Sequence, residues 1–96
     1  METLIPQQID KELIQNCRFS SQDVLYRPAD RIQRREKLEK ARILGNGHKH
    51  KVRIKFQTTE GQKQVETTVW AVTEENIILK GGVCIPISCI LEVSVD

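Results

Sequence analysis

The stretch Lys80-Gly81-Gly82-Val83-Cys84-Ile85-Pro86-Ile87-Ser88-Cys89-Ile90-Leu91-Glu92-Val93 decides the fold. Gly81-Gly82 is a turn signal, and Val83 to Ile87 alternates as a strand does. Pro86 has no amide to donate, which places it at an edge or a bulge. Ile85 and Ile87 are two apart, but the next apolar steps, to Ile90 and Val93, are three. A single 3₁₀ turn over Ser88-Cys89-Ile90, between two short strands, accounts for that shift of period. Leu91 to Val95 is then a closing strand, and Ile85, Ile87, Ile90 and Val93 are all expected in the core.

Upstream, the period-two pattern begins after His48. Val52, Ile54 and Phe56 alternate with Lys51, Arg53, Lys55 and Gln57, a half-buried strand with a basic outer face. Thr59-Glu60-Gly61 suits a short hairpin loop. Lys63 to Thr73 has apolar or β-branched residues on both faces, as expected of a long, bent strand serving two sides of a barrel. Glu74-Glu75-Asn76 is a turn, and Ile77 to Lys80 is a short third strand. The fold expected is mainly β with N-terminal helices: a five-stranded SH3-like or Sm-like small barrel over 47–96, preceded by a helical arm over 1–46, in one globular unit.

Within the arm, Met1 to Ile5 reads as a tail. Ile9, Leu13 and Cys17 recur every four residues, with Ile14 beside them, which predicts a helix from Pro6 to about Cys17. Ser20-Ser21-Gln22-Asp23 resembles a weak capping box for a short turn. Pro28 to Leu44 is rich in helix formers, and Gly45-Asn46-Gly47 supplies a C-terminal stop. An alternative starts a strand at Ala41 to Leu44, with the glycines as its turn. Ile32, Leu38 and Ile43 make no full apolar stripe, so this helix is expected to be largely solvent-exposed.

The 96 residues carry a net charge of +2, with 39% hydrophobic and 29% charged residues, an ordinary balance for a soluble globular domain. Aromatics are scarce, so Val, Ile and Leu must build the core. No apolar run is long enough to span a membrane. Glu2, Pro6, Gln7 and Asp10 interrupt any signal-peptide pattern, so a cytoplasmic address is expected. Cys17, Cys84 and Cys89 are an odd set without paired spacing, which predicts reduced thiols. Zinc held by Cys84, Cys89, His48 and His50 lacks any familiar ligand spacing, and no metal or other cofactor is expected.

The charge is unevenly distributed. Arg27 to Lys55 holds eleven basic and three acidic residues, a segment charge of +8 against −6 for the rest. Arg31, Arg34, Arg35 and Arg42 on the helix, with Lys49, Lys51, Arg53 and Lys55 on the strand, are the candidate nucleic-acid-binding residues. If they share one face, it would grip phosphate backbones without base selectivity and weaken steeply with salt. The opposing reading has Glu60, Glu66, Glu74 and Glu75 neutralise them in the fold. Trp70, the sole tryptophan, is either packed in the core or an exposed contact for a partner. No nucleophile motif or phosphate-binding loop is present, so a catalytic role and a small-molecule substrate are not expected. A protein-interaction or regulatory module is the first expectation, with a protein partner or self-association. Weak, largely non-specific nucleic-acid (RNA) binding is the second.

The layout of the basic helix, Val52-Arg53-Ile54-Lys55-Phe56, a Gly-containing hairpin and Ile77-Ile78-Leu79-Lys80 resembles the Sm-like RNA-chaperone family of bacteria. That family has a Tyr-Lys-His motif between its last two strands, where uridines bind. Here the same place reads Ile85-Pro86-Ile87-Ser88, so the resemblance carries no RNA site over. The chain is also similar to a group of short uncharacterised bacterial proteins. The similarity lies at Leu44-Gly45-Asn46, Val65-Glu66-Thr67-Thr68-Val69-Trp70-Ala71, Leu79-Lys80-Gly81-Gly82 and Ile85-Pro86-Ile87. It implies a shared fold over about residues 36 to 95 and brings no activity with it.

Overall fold

Alternation at Val52 sets the centre of the molecule. A computed structural model describes residues 7–20 and 22–95. In it, β2 (Val52–Thr58) buries Val52, Ile54, Phe56 and Thr58 and turns Arg53, Lys55 and Gln57 outward. It pairs antiparallel with β3 (Gly61–Thr67), from Val52 opposite Thr67 to Thr58 opposite Gly61. Gly61 has φ of 122°, so the turn needs the residue without a Cβ. The Thr58 hydroxyl donates to the Gly61 carbonyl at 2.8 Å and accepts from the Glu60 amide at 3.1 Å, tying the turn to the strand.

On the other side of β2 lies β7 (Ile90–Ser94), antiparallel, with a register shift between Lys55 and Phe56. β1 (Gln7–Gln8) runs parallel to β3 on its outer edge, and the four strands order as β1-β3-β2-β7. After β3 the chain bends at Thr68 and enters a second sheet of β4 (Val69–Val72), β5 (Asn76–Leu79) and β6 (Cys84–Pro86), in that order. Thr67, Thr68 and Val69 are buried in succession, where a strand with one face in solvent would alternate. The bend expected between Lys63 and Thr73 is therefore real. It divides one stretch between two sheets.

Gly81 and Gly82, both at positive φ, turn β5 into β6. A 3₁₀ turn at Ile87–Cys89 then joins β6 to β7, which belong to different sheets. Ile85, Ile87, Ile90 and Val93 are all buried, as the apolar spacing required. The described residues thus form a mixed helix–sheet domain with one α-helix, α1 (Pro28–His48), and seven strands in two sheets. The sheets do not close into a barrel.

Two expectations for the helices are corrected. Residues 11–16 form a 3₁₀ helix, and Gln7–Gln8 a strand, where an α-helix was expected from Pro6. Pro6, Ser21 and the expected tail lie outside the described residues. Ile14 is buried (1% exposed) while Leu13, on the expected stripe, is 50% exposed. The physical reason is competition: a helix of about eleven residues is marginal alone, whereas the outer edge of β3 offers backbone partners. The Ile9 amide takes one of them, donating to the Gln64 carbonyl at 2.9 Å. That pairing also covers an edge strand.

The second correction concerns Gly45-Asn46-Gly47. The helix passes through all three and ends at His48, with Lys49 in the left-handed cap (φ 53°) donating its amide to the Gly45 carbonyl. Neither a glycine stop nor a strand at Ala41 to Leu44 occurs. Gly45 is instead a contact point: a Cβ there would overlap the Val69 carbonyl oxygen and lie 2.9 Å from Thr68 Cγ2. The buried face of α1 is Arg34, Leu38, Ala41 and Gly45, with spacing four, three, four. Because it includes an arginine and a glycine, no apolar stripe reveals it. Ile32 and Ile43 remain 60% and 59% exposed.

Candidate functional site

The eight basic candidates fall into three settings. Arg34 is 6% exposed and so cannot share an outer face with the other candidates. Its two terminal nitrogens grip both oxygens of Asp23, at 2.9 and 2.7 Å, and one also donates to the Ile90 carbonyl at 3.0 Å. This guanidinium holds the 22–27 segment and the start of β7 to α1. It is out of reach of a macromolecular phosphate. Burial would raise the Asp23 carboxyl. Arg34's hydrogen bond, the Leu25 amide and the charges of Arg34 and Arg31 outweigh that and hold it below its ordinary value.

The outer face of β2 is the second setting. Arg53 lies directly opposite Glu66 of β3 with an ion-pair distance of 3.8 Å, and Lys55 opposite Glu92 of β7 at 3.5 Å. Acids from outside the basic segment thus sit beside these cations. Glu66 is one of those named for that part in the sequence, and Glu92 is not. On α1, Arg42 pairs with Glu39 at 3.0 Å, one turn earlier. Exposed ion pairs of this kind contribute at most about 1 kcal/mol each to stability, but they lower the local potential.

Third, Arg31, Arg35, Lys49 and Lys51 are exposed. Arg31 Nε donates to the Leu25 carbonyl at 2.7 Å and lies 3.6 Å from Asp23. Arg35 donates to the Thr73 and Glu74 carbonyls at 3.0 to 3.4 Å, fastening α1 to the β4–β5 turn. Arg31, Arg34 and Arg35 line one cleft, together with Glu74, Glu75 and Ser88. Arg53 and Lys55 line a different depression with Gln64, Glu92 and Ser94. Helix and strand cations share neither depression.

Trp70 is 46% exposed, mid-strand in β4, at the register shift between Val69 and Ala71. Asn46 Nδ2 donates to its carbonyl at 3.2 Å, joining the end of α1 to this strand. Ile43 is also exposed, but it lies on the side of α1 opposite the face of Ala41 and Gly45 that packs on β4. The indole, and not the isoleucine, borders the helix–strand seam.

Asp23 is the residue that the sequence reading passed over. It enters there only as the end of a weak capping box, and nothing local marks it as an ion-pair partner, because Arg34 is eleven residues away and the third member, Ile90, a further fifty-six from Arg34. The thiols differ in setting: Cys84 is exposed, Cys17 half-buried and Cys89 buried, all free. Among the described residues no three His, Cys, Asp or Glu side chains are grouped to hold a metal. No helix among them is long and apolar enough to cross a membrane. Comparison with protein-family models, curated proteins and solved structures finds no match to this chain.

Proposed function

We propose that this chain is a non-catalytic protein-interaction or regulatory module, and that its contact surface is the α1–β4 seam at Trp70. The observation that carries the reading is the half-exposed indole itself. A large aromatic left in water at a rigid strand position is the residue type that anchors protein interfaces. The Asn46 bond to the Trp70 carbonyl holds the end of α1 and this strand in register beside it. The charge pairing on β2 and α1 supports this reading over a polyanion face, since Arg34, Arg42, Arg53 and Lys55 each have a carboxylate partner. The finer architecture we propose is an opened SH3-like or Sm-like barrel. The pairing of the last strand with β2, the bend at Thr68 and the 3₁₀ turn before β7 support it. A cytoplasmic, bacterial setting belongs to the same proposal.

The test is a photo-crosslinking amino acid placed at position 70 in the full chain within producing cells. A discrete adduct there, absent when the same group replaces Thr59 on the β2–β3 turn, is the expected result. No adduct at position 70, together with a strict monomer by light scattering, overturns the reading.

Salt-sensitive, largely non-specific nucleic-acid binding is the second reading, supported by exposed Lys49 and Lys51 beside the half-solvated Arg53. Affinity for short RNA and DNA duplexes, compared at about 50 and 200 mM salt, decides it. Binding at the lower salt that vanishes in Lys49→Glu with Lys51→Glu supports it. No binding at the lower salt rules it out.

A further inference from the structure

We infer that the cleft between the first turns of α1, the β4–β5 turn and the second 3₁₀ turn is a small-molecule site, whose oxyanion is held by Arg31 and Arg35. The cleft has a volume of about 560 Å³, within the range of ligand pockets and far more than a bare ion needs. Arg31 and Arg35 are neighbours one turn apart on α1, and both line it. Like charges at that spacing repel, so their shared position requires a reason.

Their guanidinium groups are aimed by neutral partners. Arg31 Nε is fixed by the Leu25 carbonyl, and Arg35 by the Thr73 and Glu74 carbonyls. Carbonyl oxygens set the direction of a guanidinium without cancelling its charge, and leave it the donors that match an oxyanion. The nearest carboxylate, Asp23, is committed to Arg34 through both oxygens and stands 3.6 Å from Arg31. Arg34, more than nine-tenths buried, also lines the cleft, and its Nε has no hydrogen-bond partner. A buried donor without an acceptor is costly, and an anion seated nearby relieves it electrostatically.

The other lining residues define the remainder of the ligand. Glu74 and Glu75 belong to the turn whose carbonyls hold Arg35, and with Asn76 they also line the cleft, while Pro86 and Ile87 supply apolar surface. Carboxylates there disfavour a bare anion and accept hydrogen bonds from hydroxyl or amino groups. The site thus suits a compact metabolite that carries both an oxyanion and hydroxyl or amino donors. This inference does not depend on the Trp70 surface, which lies on a different strand.

Glycerol 3-phosphate and glycerate, titrated against the full chain at constant ionic strength, test it and separate a tetrahedral from a planar head group. Saturable NMR shifts at the Asn76 and Ser88 amides and the Arg35 Nε–H are expected with at least one of them. Arg31→Gln with Arg35→Gln should weaken that binding at least tenfold, and Arg53→Gln, outside the cleft, should leave it unchanged. Arg31→Gln alone, which keeps Arg35's tie to the β4–β5 turn, must also weaken it. Failure of both probes to saturate by about 10 mM overturns the proposal. Equal weakening by Arg53→Gln does so too, because it marks ionic screening.

Discussion

Gly45 of α1 faces the Val69 carbonyl of β4 with no room for a side chain between them. The approach sets how closely the helix lies on the second sheet. Alanine is favoured over glycine in a helix by about 1 kcal/mol, so helix propensity alone predicts that Gly45→Ala stabilises. Overpacking against a backbone atom costs about 1–3 kcal/mol and should win. Gly47, in the same helix, has nothing within 4 Å of a Cβ, so Gly47→Ala should be neutral or stabilising. Urea midpoints of the two variants should move in opposite directions; a stabilised Gly45→Ala would show that the helix sits farther out.

Arg34 and Asp23 form a second long-range tie. Removing one partner leaves the other without its counter-charge in a largely buried place, a loss of about 3 kcal/mol or more for Arg34→Leu. The pH dependence has a definite sign. Asp23 has a folded pKa below its unfolded one, so its contribution is complete above the unfolded value, near 3.9, and is lost as pH falls through the folded value. Stability of the wild type should therefore fall more between pH 5 and pH 2 than that of Asp23→Asn. Identical acid limbs in urea unfolding would remove the ion pair from the account.

The N-terminal segment separates two geometries that the sequence leaves close together. An α-helical stripe would bury Leu13 and make Ile14 secondary. The 3₁₀ helix does the reverse. Ile14→Ala should cost about 2–4 kcal/mol and Leu13→Ala under about 1. The opposite order in thermal unfolding would restore the α-helix.

Thiol labelling reports three places of different burial. Cys84, exposed at the start of β6, should react first with a charged disulfide reagent. Cys17 should lag at neutral pH, because burial pushes its thiol up, Lys63 opposes this and Glu60 adds to it. Its labelling rate should keep rising with pH above the usual thiol range. Cys89 should react only on global unfolding, since it is buried as the last residue of the 3₁₀ turn with its thiol directed at the Ser20 carbonyl, 3.5 Å away. Rapid labelling of Cys89 in native protein would mean that the β6–β7 connection opens locally.

What could be read from the chain alone follows its local periodicities. Val52, Ile54 and Phe56, the glycine turns at Gly61 and Gly81-Gly82, and the three-residue steps from Ile87 to Val93 each carry their structure within a few residues. So the strands from Val52 onward, the bend and the 3₁₀ turn before β7 were legible, and β1 was not. The candidate site was much less so. A run of eleven basic residues is a property of the chain's order, whereas a potential is a property of space. Glu66 and Glu92 reach Arg53 and Lys55 only after β2 acquires neighbours on both sides.

The sequence by itself determined the strands whose residues alternate and the core positions on them, because hydrophobic alternation leaves one face of each such strand to bury. Only the tertiary structure decided the rest. The Lys80–Val93 stretch does not close a barrel; it divides between two sheets. Gly45 is a place of contact and not an end of a helix. Arg34 is an internal strut held by Asp23 and the Ile90 carbonyl, while Arg31 and Arg35, beside it in the chain, face an open cleft. Apart from Arg31, held by Leu25 and Asp23 close by in the chain, each of these depends on partners more than ten residues away, of which local sequence carries no record.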